Sequence, residues 1–203
     1  MARLSPLRIP PAAVLPGRAG GLYSPAMHPE PANAAPEPVA IGLGSNLGDP
    51  AANLREAFRR LAAGGLAGAR LSPLYLTEPE ECHPGTPDFL NAAVTGRWSG
   101  SPDALKTLCQ TLERDLGRAA AHDSRAARTL DLDLLLFGTR ELRTPQLTIP
   151  HPRLAGRLFV LVPLADLAPG WPVPGTGRTV AGLLADCRRR QPAPPEPRRQ
   201  PGL

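Results

Sequence analysis

The chain has 203 residues, 23 of them Lys or Arg and 18 Asp or Glu, a formal charge of +5. The excess sits at the ends: residues 1–38 carry three Arg and two Glu, residues 188–203 carry five Arg and one Glu, and residues 39–187 balance 15 cations against 15 acids. A neutral middle argues against a nucleic-acid-binding core, no apolar run reaches the ~18 residues of a membrane span, and three separated cysteines (82, 109 and 187) suggest neither a disulfide framework nor a zinc site.

Residues 1–38 are rich in Pro and Ala, show no sustained period, and are expected to lack fixed structure. Arg precedes any acid up to Glu30, as in a transit peptide, but Pro6, Pro10, Pro11 and Pro16 break any amphipathic helix. Residues 39–187 form the single expected domain, long enough to bury roughly 70% of its unfolded surface. Val39–Leu43 reads as a strand, and Gly42–Gly48 as a tight, Gly-rich turn. Asp49 offers an N-cap, Pro50 suits the first helical position, and Leu54, Ala57, Phe58 and Leu61 mark one helix face ended by Gly64-Gly65. Leu71–Leu76 is a second strand, Glu78–Pro87 a loop, and Phe89–Trp98 a third strand. Ser101-Pro102 opens a second helix with Leu105, Leu108, Cys109, Leu112 and Leu116 on its apolar face and Gly117 as its stop. A polar loop, Arg118–Ala127, leads into the clearest strand, Arg128–Phe137. Leu147–Ile149, Phe159–Leu164 and a helix near Val180–Cys187 add C-terminal elements. Residues 188–203, rich in Pro and Arg, are expected to be unstructured, so that deleting residues 1–36 and 189–203 should leave activity and thermal stability nearly unchanged. The order β-α-β-β-α-β is the ferredoxin-like arrangement of an α+β fold, an antiparallel sheet with both helices on one face.

Three segments could carry chemistry. In Arg128–Phe137 the side chains of Asp131 and Asp133 share one face, about 7 Å apart along the strand, while Leu130, Leu132, Leu134 and Leu136 share the core face. Two like charges this close need a positive partner. Either a divalent cation lies against them, magnesium by the oxygen-only donor set, or Arg118 or Arg128 pairs with them. Gly42–Asp49 could cradle phosphate at the start of a helix, yet it lacks P-loop and dinucleotide spacing and is more often a plain turn; Asn46 supplies its hydrogen-bonding side chain. Pro150-His151-Pro152-Arg153 with Arg157 could hold polyphosphate or be a surface loop. Gln110 and Glu113 share a helix face away from the apolar stripe, a position that is usually solvated.

Together the stretches Ala40–Gly48, Pro87–Val94, Arg128–Gly138 and Ile149–His151 through Arg157–Phe159 resemble the 6-hydroxymethyl-7,8-dihydropterin pyrophosphokinase family of folate biosynthesis. The resemblance covers residues 39–170 and is most specific in Arg128-Thr-Leu-Asp-Leu-Asp133. It implies transfer of the diphosphoryl group of ATP to the hydroxymethyl oxygen of the pterin, with release of AMP. It implies further that Asp131 and Asp133 hold two Mg2+ ions, and that Arg118 and Arg128 are catalytic-loop arginines. By the same resemblance Gln110, Glu113, Arg128, Leu134, Thr148, His151 and Arg157 contact ATP, and Asn46, Thr77, Pro79, Phe89, Asn91 and Phe159 form the pterin pocket, with the two phenylalanines stacking on the ring. A cytoplasmic monomer is expected, with no nucleic-acid or membrane partner. The chain departs from the family where Ser124–Ala127 replaces a run with Trp and Gly-Pro, at Ala120, Gln146 and Pro152, and in a Glu78–Thr86 loop one residue longer. The competing readings are a nucleotide-sugar transferase, since Asp-x-Asp serves there too, and a non-catalytic binding module whose Arg-rich tail contacts acidic partners.

Overall fold

The computed structural model describes residues 35–117, 126–190 and 196–201. β1 (Glu37–Ser45) begins inside the expected N-terminal tail, where Arg140 pairs with Glu37 and the Gly138 N–H donates to Pro38 O at 2.7 Å. Val39, Ile41 and Leu43 alternate into the core. Gly42–Ser45 extend this strand rather than forming the expected turn, because both edges of β1 are paired through Gly44. The turn starts at Asn46, and Gly48 supplies its left-handed residue at φ 70°. α1 (Pro50–Ala63) starts as expected, with Asp49 Oδ1 accepting from the Ala52 N–H at 3.0 Å. It buries Leu54, Ala57 and Leu61, each leucine contributing roughly 1.5–3 kcal/mol by leaving water.

The single strand expected over Leu71–Leu76 is two, β2 (Ala67–Leu71) and β3 (Tyr75–Thr77). Pro73 has no N–H to continue a ladder. Ser72 bridges the break instead: its N–H donates to Ala93 O, and its Oγ accepts from the Ala93 N–H, both at 2.9 Å. Both strands pair antiparallel with β4 (Phe89–Trp98), which runs where its alternation predicts. α2 (Pro102–Asp115) is capped by Ser101 Oγ on the Ala104 N–H at 3.1 Å, and Gly117 closes it at φ 98°. β5 (Asp131–Phe137) follows.

β4, β1 and β5 lie side by side with β3 outside β4, all antiparallel, and α1 and α2 pack on one face, which is the ferredoxin-like arrangement. β5 departs from simple alternation. Ala40 pairs with Leu136 and Ile41 with Leu134, so Leu135 is a bulge. Leu130, Leu132 and Leu134 face α1 and α2 as expected, but the bulge turns Leu136 with Leu135 to the opposite face. There, after the short hairpin β6 (Leu142–Arg143) and β7 (Thr148–Ile149), the apolar run expected at Phe159–Leu164 forms α3 (Leu158–Leu167). A second hairpin, β8 (Pro172–Val173) and β9 (Arg178–Thr179), leads to α4 (Val180–Arg190). Leu161 and Leu164 of α3 and Val180 and Leu183 of α4 cover Ala40, Ala93, Leu135 and Leu136.

The C-terminal segment corrects the expectation of an unstructured tail. α4 runs on through Arg190, and β10 (Arg198–Arg199) adds to the outer edge of β3, with Gln200 N–H donating to Leu74 O at 2.8 Å. Arg188 fastens Glu196 through two bonds of 2.8 and 2.9 Å. Backbone ladders need no apolar side chains, so composition carries no trace of this strand. No helix among the described residues is long and apolar enough to cross a membrane.

Candidate active site

The sheet face away from α1 and α2 is not fully covered by α3. The gap is a cavity of about 650 Å3 whose floor is β1 at Gly42 and Gly44. Side chains alternate, so glycine at these two positions leaves room on the cavity face while Ile41 and Leu43 fill the core on the other. A Cβ on Gly44 would stand 3.1 Å from Asn91 Oδ1. Asn91 is 5% exposed, and its Nδ2 donates to Thr77 Oγ1 at 2.7 Å, which leaves Oδ1 as its free acceptor toward the cavity. Phe89 and Phe159 line the same space, from β4 and α3. Each ring carries an arginine: Arg128 lies 5.3 Å from the Phe89 centroid and Arg157 5.2 Å from that of Phe159.

Asp131 and Asp133 project from β5 into this cavity, as their same-face spacing predicts. Arg128 Nη1 sits 3.2 Å from Asp131 Oδ2, so the arginine partner considered from sequence is present. Arg128 Nε is buried and, among the described residues, has no hydrogen-bond partner. Asp133 also lines a second cavity of about 200 Å3, with Lys106, Leu134, Thr148 and His151 among its walls. The bulge at Leu135 helps to place His151, whose N–H donates to Leu135 O at 3.0 Å. His151 Nδ1 accepts from the Arg153 N–H at 3.3 Å, so Nε2 bears the proton and points at Asp133 Oδ2, 4.0 Å away. Burial holds the imidazole below its ordinary pKa, against the pull of Asp133, with Arg157, Arg153 and Lys106 adding to the depression.

The donor set fits magnesium. Among the described residues no group of three or more His, Cys, Asp or Glu side chains converges, so the protein offers two carboxylates rather than a cage. Magnesium is characteristically held that way, by one or two carboxylates completed by substrate phosphates and water.

Other expected site residues lie elsewhere. Asn46 is 5% exposed and does not line either cavity. Its Oδ1 accepts from the Arg128 N–H at 2.7 Å and its Nδ2 donates to Pro87 O at 3.0 Å, clipping two site segments together. Glu113, expected on a solvated face, is buried and accepts from the Leu132 N–H at 2.7 Å, anchoring α2 to β5. Burial, with that carboxylate behind it, pushes the Cys109 thiol up to about 12, which leaves it a core filler. Gln110 is exposed and lines neither cavity; Pro79 is half-buried in the loop that follows Thr77. Arg118 lies outside the described residues. Three contributors escaped the sequence reading. Glu81 binds Arg153 and Arg157 at 3.1 and 3.2 Å across the mouth of the large cavity, Glu80 lines it with a carboxyl raised by burial, and Lys106 lines the small one. Lys106 stands at i to Gln110 at i+4 and Glu113 at i+7, a face the sequence already displayed.

The family model described as 7,8-dihydro-6-hydroxymethylpterin-pyrophosphokinase matches residues 40–169. A Synechocystis protein named 2-amino-4-hydroxy-6-hydroxymethyldihydropteridine pyrophosphokinase is 39% identical over 160 residues, 77% of this chain and 80% of the relative. One of the same name from Pseudomonas aeruginosa is 40% identical over 154 residues, 73% of this chain and 91% of the relative. The crystal structure of Plasmodium falciparum HPPK-DHPS with pteroate superimposes with a TM-score of 0.61 at 15% identity, over 77% of this chain and 43% of that one, a likeness of fold. The chain belongs to the 7,8-dihydro-6-hydroxymethylpterin-pyrophosphokinase family, whose members act on 6-hydroxymethyl-7,8-dihydropterin in folate biosynthesis.

Proposed function

We propose that the protein joins Mg2+-ATP to the pterin across the seam between its two cavities, moving the diphosphoryl group to the hydroxymethyl oxygen and releasing AMP. The observation that carries this reading is the placement of Asp131 and Asp133 side by side on β5, with Asp133 on the wall common to both cavities. Magnesium bound by these carboxylates would neutralise the phosphates and align the hydroxyl with the β-phosphorus.

The chain's own side chains supply the rest. Phe89 and Phe159 stack on the flat pterin, and Asn91 Oδ1, fixed by the bond to Thr77, accepts from its donor edge. Arg128, which lines the large cavity, turns its guanidinium charge toward the transferred group, and Arg157 adds a second cation once Glu81 releases it. A new bond forms between the hydroxymethyl oxygen and the β-phosphorus as the bond from that phosphorus to the α-phosphate oxygen breaks. The hydroxyl proton leaves to solvent. His151, neutral and protonated on Nε2, donates to the nucleotide, and Leu134 and Thr148 border it in the small cavity. Arg118, by resemblance, adds positive charge. The enzyme is read as a monomer because its own helices pack on both sheet faces, leaving the large cavity open, and β10 pairs along the β3 edge. Its placement in the cytoplasm rests on the separated cysteines of the sequence.

The test is AMP formation from ATP with the pterin present. Asp131→Asn and Asp133→Asn should each lower turnover about a hundredfold or more while the circular dichroism spectrum stays unchanged. Near-normal AMP release by either variant at saturating magnesium would remove that carboxylate from the mechanism.

A further inference from the structure

The small cavity has an uneven lining. Leu134, Pro145, Leu147 and Pro152 give it apolar wall on which a flat base can lie, between polar side chains, and Asp133 stands at the seam with the large cavity. With the acceptor in the large cavity and the diphosphoryl group at the seam, the phosphate that stays with the departing nucleotide falls on the small-cavity side. This phosphate lies near the negative charge of Asp133 and needs a cation from the protein. His151 lines the same cavity and offers it a hydrogen bond from Nε2. Lys106, the one lysine of the chain, is the lining residue of this cavity with a permanent positive charge. It is half-buried, its charge is felt at both His151 and Cys109, and no carboxylate among the described residues forms an ion pair with it.

We propose that Lys106 is the phosphate anchor of the nucleotide subsite: its ammonium pairs with the non-transferred α-phosphate and holds AMP as well as ATP. The inference rests on reading the small cavity as the nucleotide site. A charge on α2 would serve this end of the site, since Gln146, which lines the same cavity from between β6 and β7, is uncharged.

Isothermal titration of the full chain tests it with four probes: AMP, magnesium α,β-methylene-ATP, adenosine and the pterin. Lys106→Gln should weaken AMP and the methylene analogue about tenfold, the worth of one charged hydrogen bond, and leave adenosine and the pterin unchanged. The loss should shrink in high salt, where the wild-type contact is already screened. Lys106→Arg, with the charge kept, should recover most of the affinity and shows that the position tolerates exchange. Equal AMP affinity in Lys106→Gln and wild type overturns the proposal. So does an equal loss for adenosine, because Lys106 would then shape the base pocket. If wild type binds the pterin but none of the nucleotides, the nucleotide reading of the small cavity fails, and the proposal fails with it.

Discussion

At Gly44 the absence of a side chain shapes the large cavity. A Cβ placed there meets Asn91 Oδ1 at 3.1 Å, and Asn91 is buried and tied to Thr77, so its amide cannot retreat without breaking that bond. Gly44→Ala is therefore expected to lower kcat/KM about tenfold to a hundredfold through misplacement of the amide, chiefly as a higher KM for the pterin, with little change in Tm. Steady-state kinetics with each substrate varied in turn make the check; an unaltered pterin KM would take Asn91 out of the pocket. In the sequence Gly44 looks like a turn residue, because a glycine that clears a cavity and one that bends a chain are written the same way. Asp131 and Asp133 were legible since strand alternation alone puts them on one face. Asn46 and Glu113 were not. Each satisfies backbone N–H groups of a segment remote in sequence, Arg128 and Leu132 respectively, and such partners exist only once the chain is folded.

β3, only three residues long, ties the sheet to α3. Tyr75 Oη donates to Asp166 Oδ2 at 2.6 Å, and burial first, then this bond, push the phenol up to about 12. The folded value lies above the ordinary 10, so the folded state holds the proton more tightly than the unfolded one. The stabilisation is complete below pH 10 and is lost as pH rises from 10 toward 12. Tyr75→Phe should cost about 1–3 kcal/mol near neutral pH by removing a donor to Asp166, and should flatten this alkaline loss. Urea unfolding of both proteins on either side of pH 10 tests it, and parallel alkaline slopes would sever the bond from stability. The helices α1 and α2 were readable to their caps, since Asp49-Pro50 and Ser101-Pro102 act within four residues. The split of β2 from β3 was half written in Pro73; the side chain of Ser72 standing in for a ladder group depends on Ala93, 21 residues away.

For the whole molecule, the C-terminal segment closes the sheet. β10 covers the β3 edge, Arg198 lies 3.7 Å from Asp88 just before Phe89, and Arg188 holds Glu196. The sequence predicts that trimming this segment is neutral; the pairing predicts otherwise. A chain ending at Arg190 should melt lower by about 2–4 °C for each kcal/mol of lost pairing, and its bare β3 edge should promote self-association. Calorimetry and size-exclusion chromatography of the two chain lengths decide it, and an equal Tm with a single monomer peak would show β10 to be dispensable.

Local rules determined much of this protein without tertiary help. Period and capping set α1, α2 and β4, alternation set the Asp131/Asp133 pair, and the order of elements set the ferredoxin-like sheet, because each depends on neighbours a few residues apart. The folded chain decided the rest. One extra residue at Leu135 turned Leu136 to the opposite face and left a carbonyl for His151, and α3 then bordered a space over Gly42 and Gly44. Bulges, cavities and edge pairing arise from contacts between distant segments, and no single stretch of sequence contains both partners.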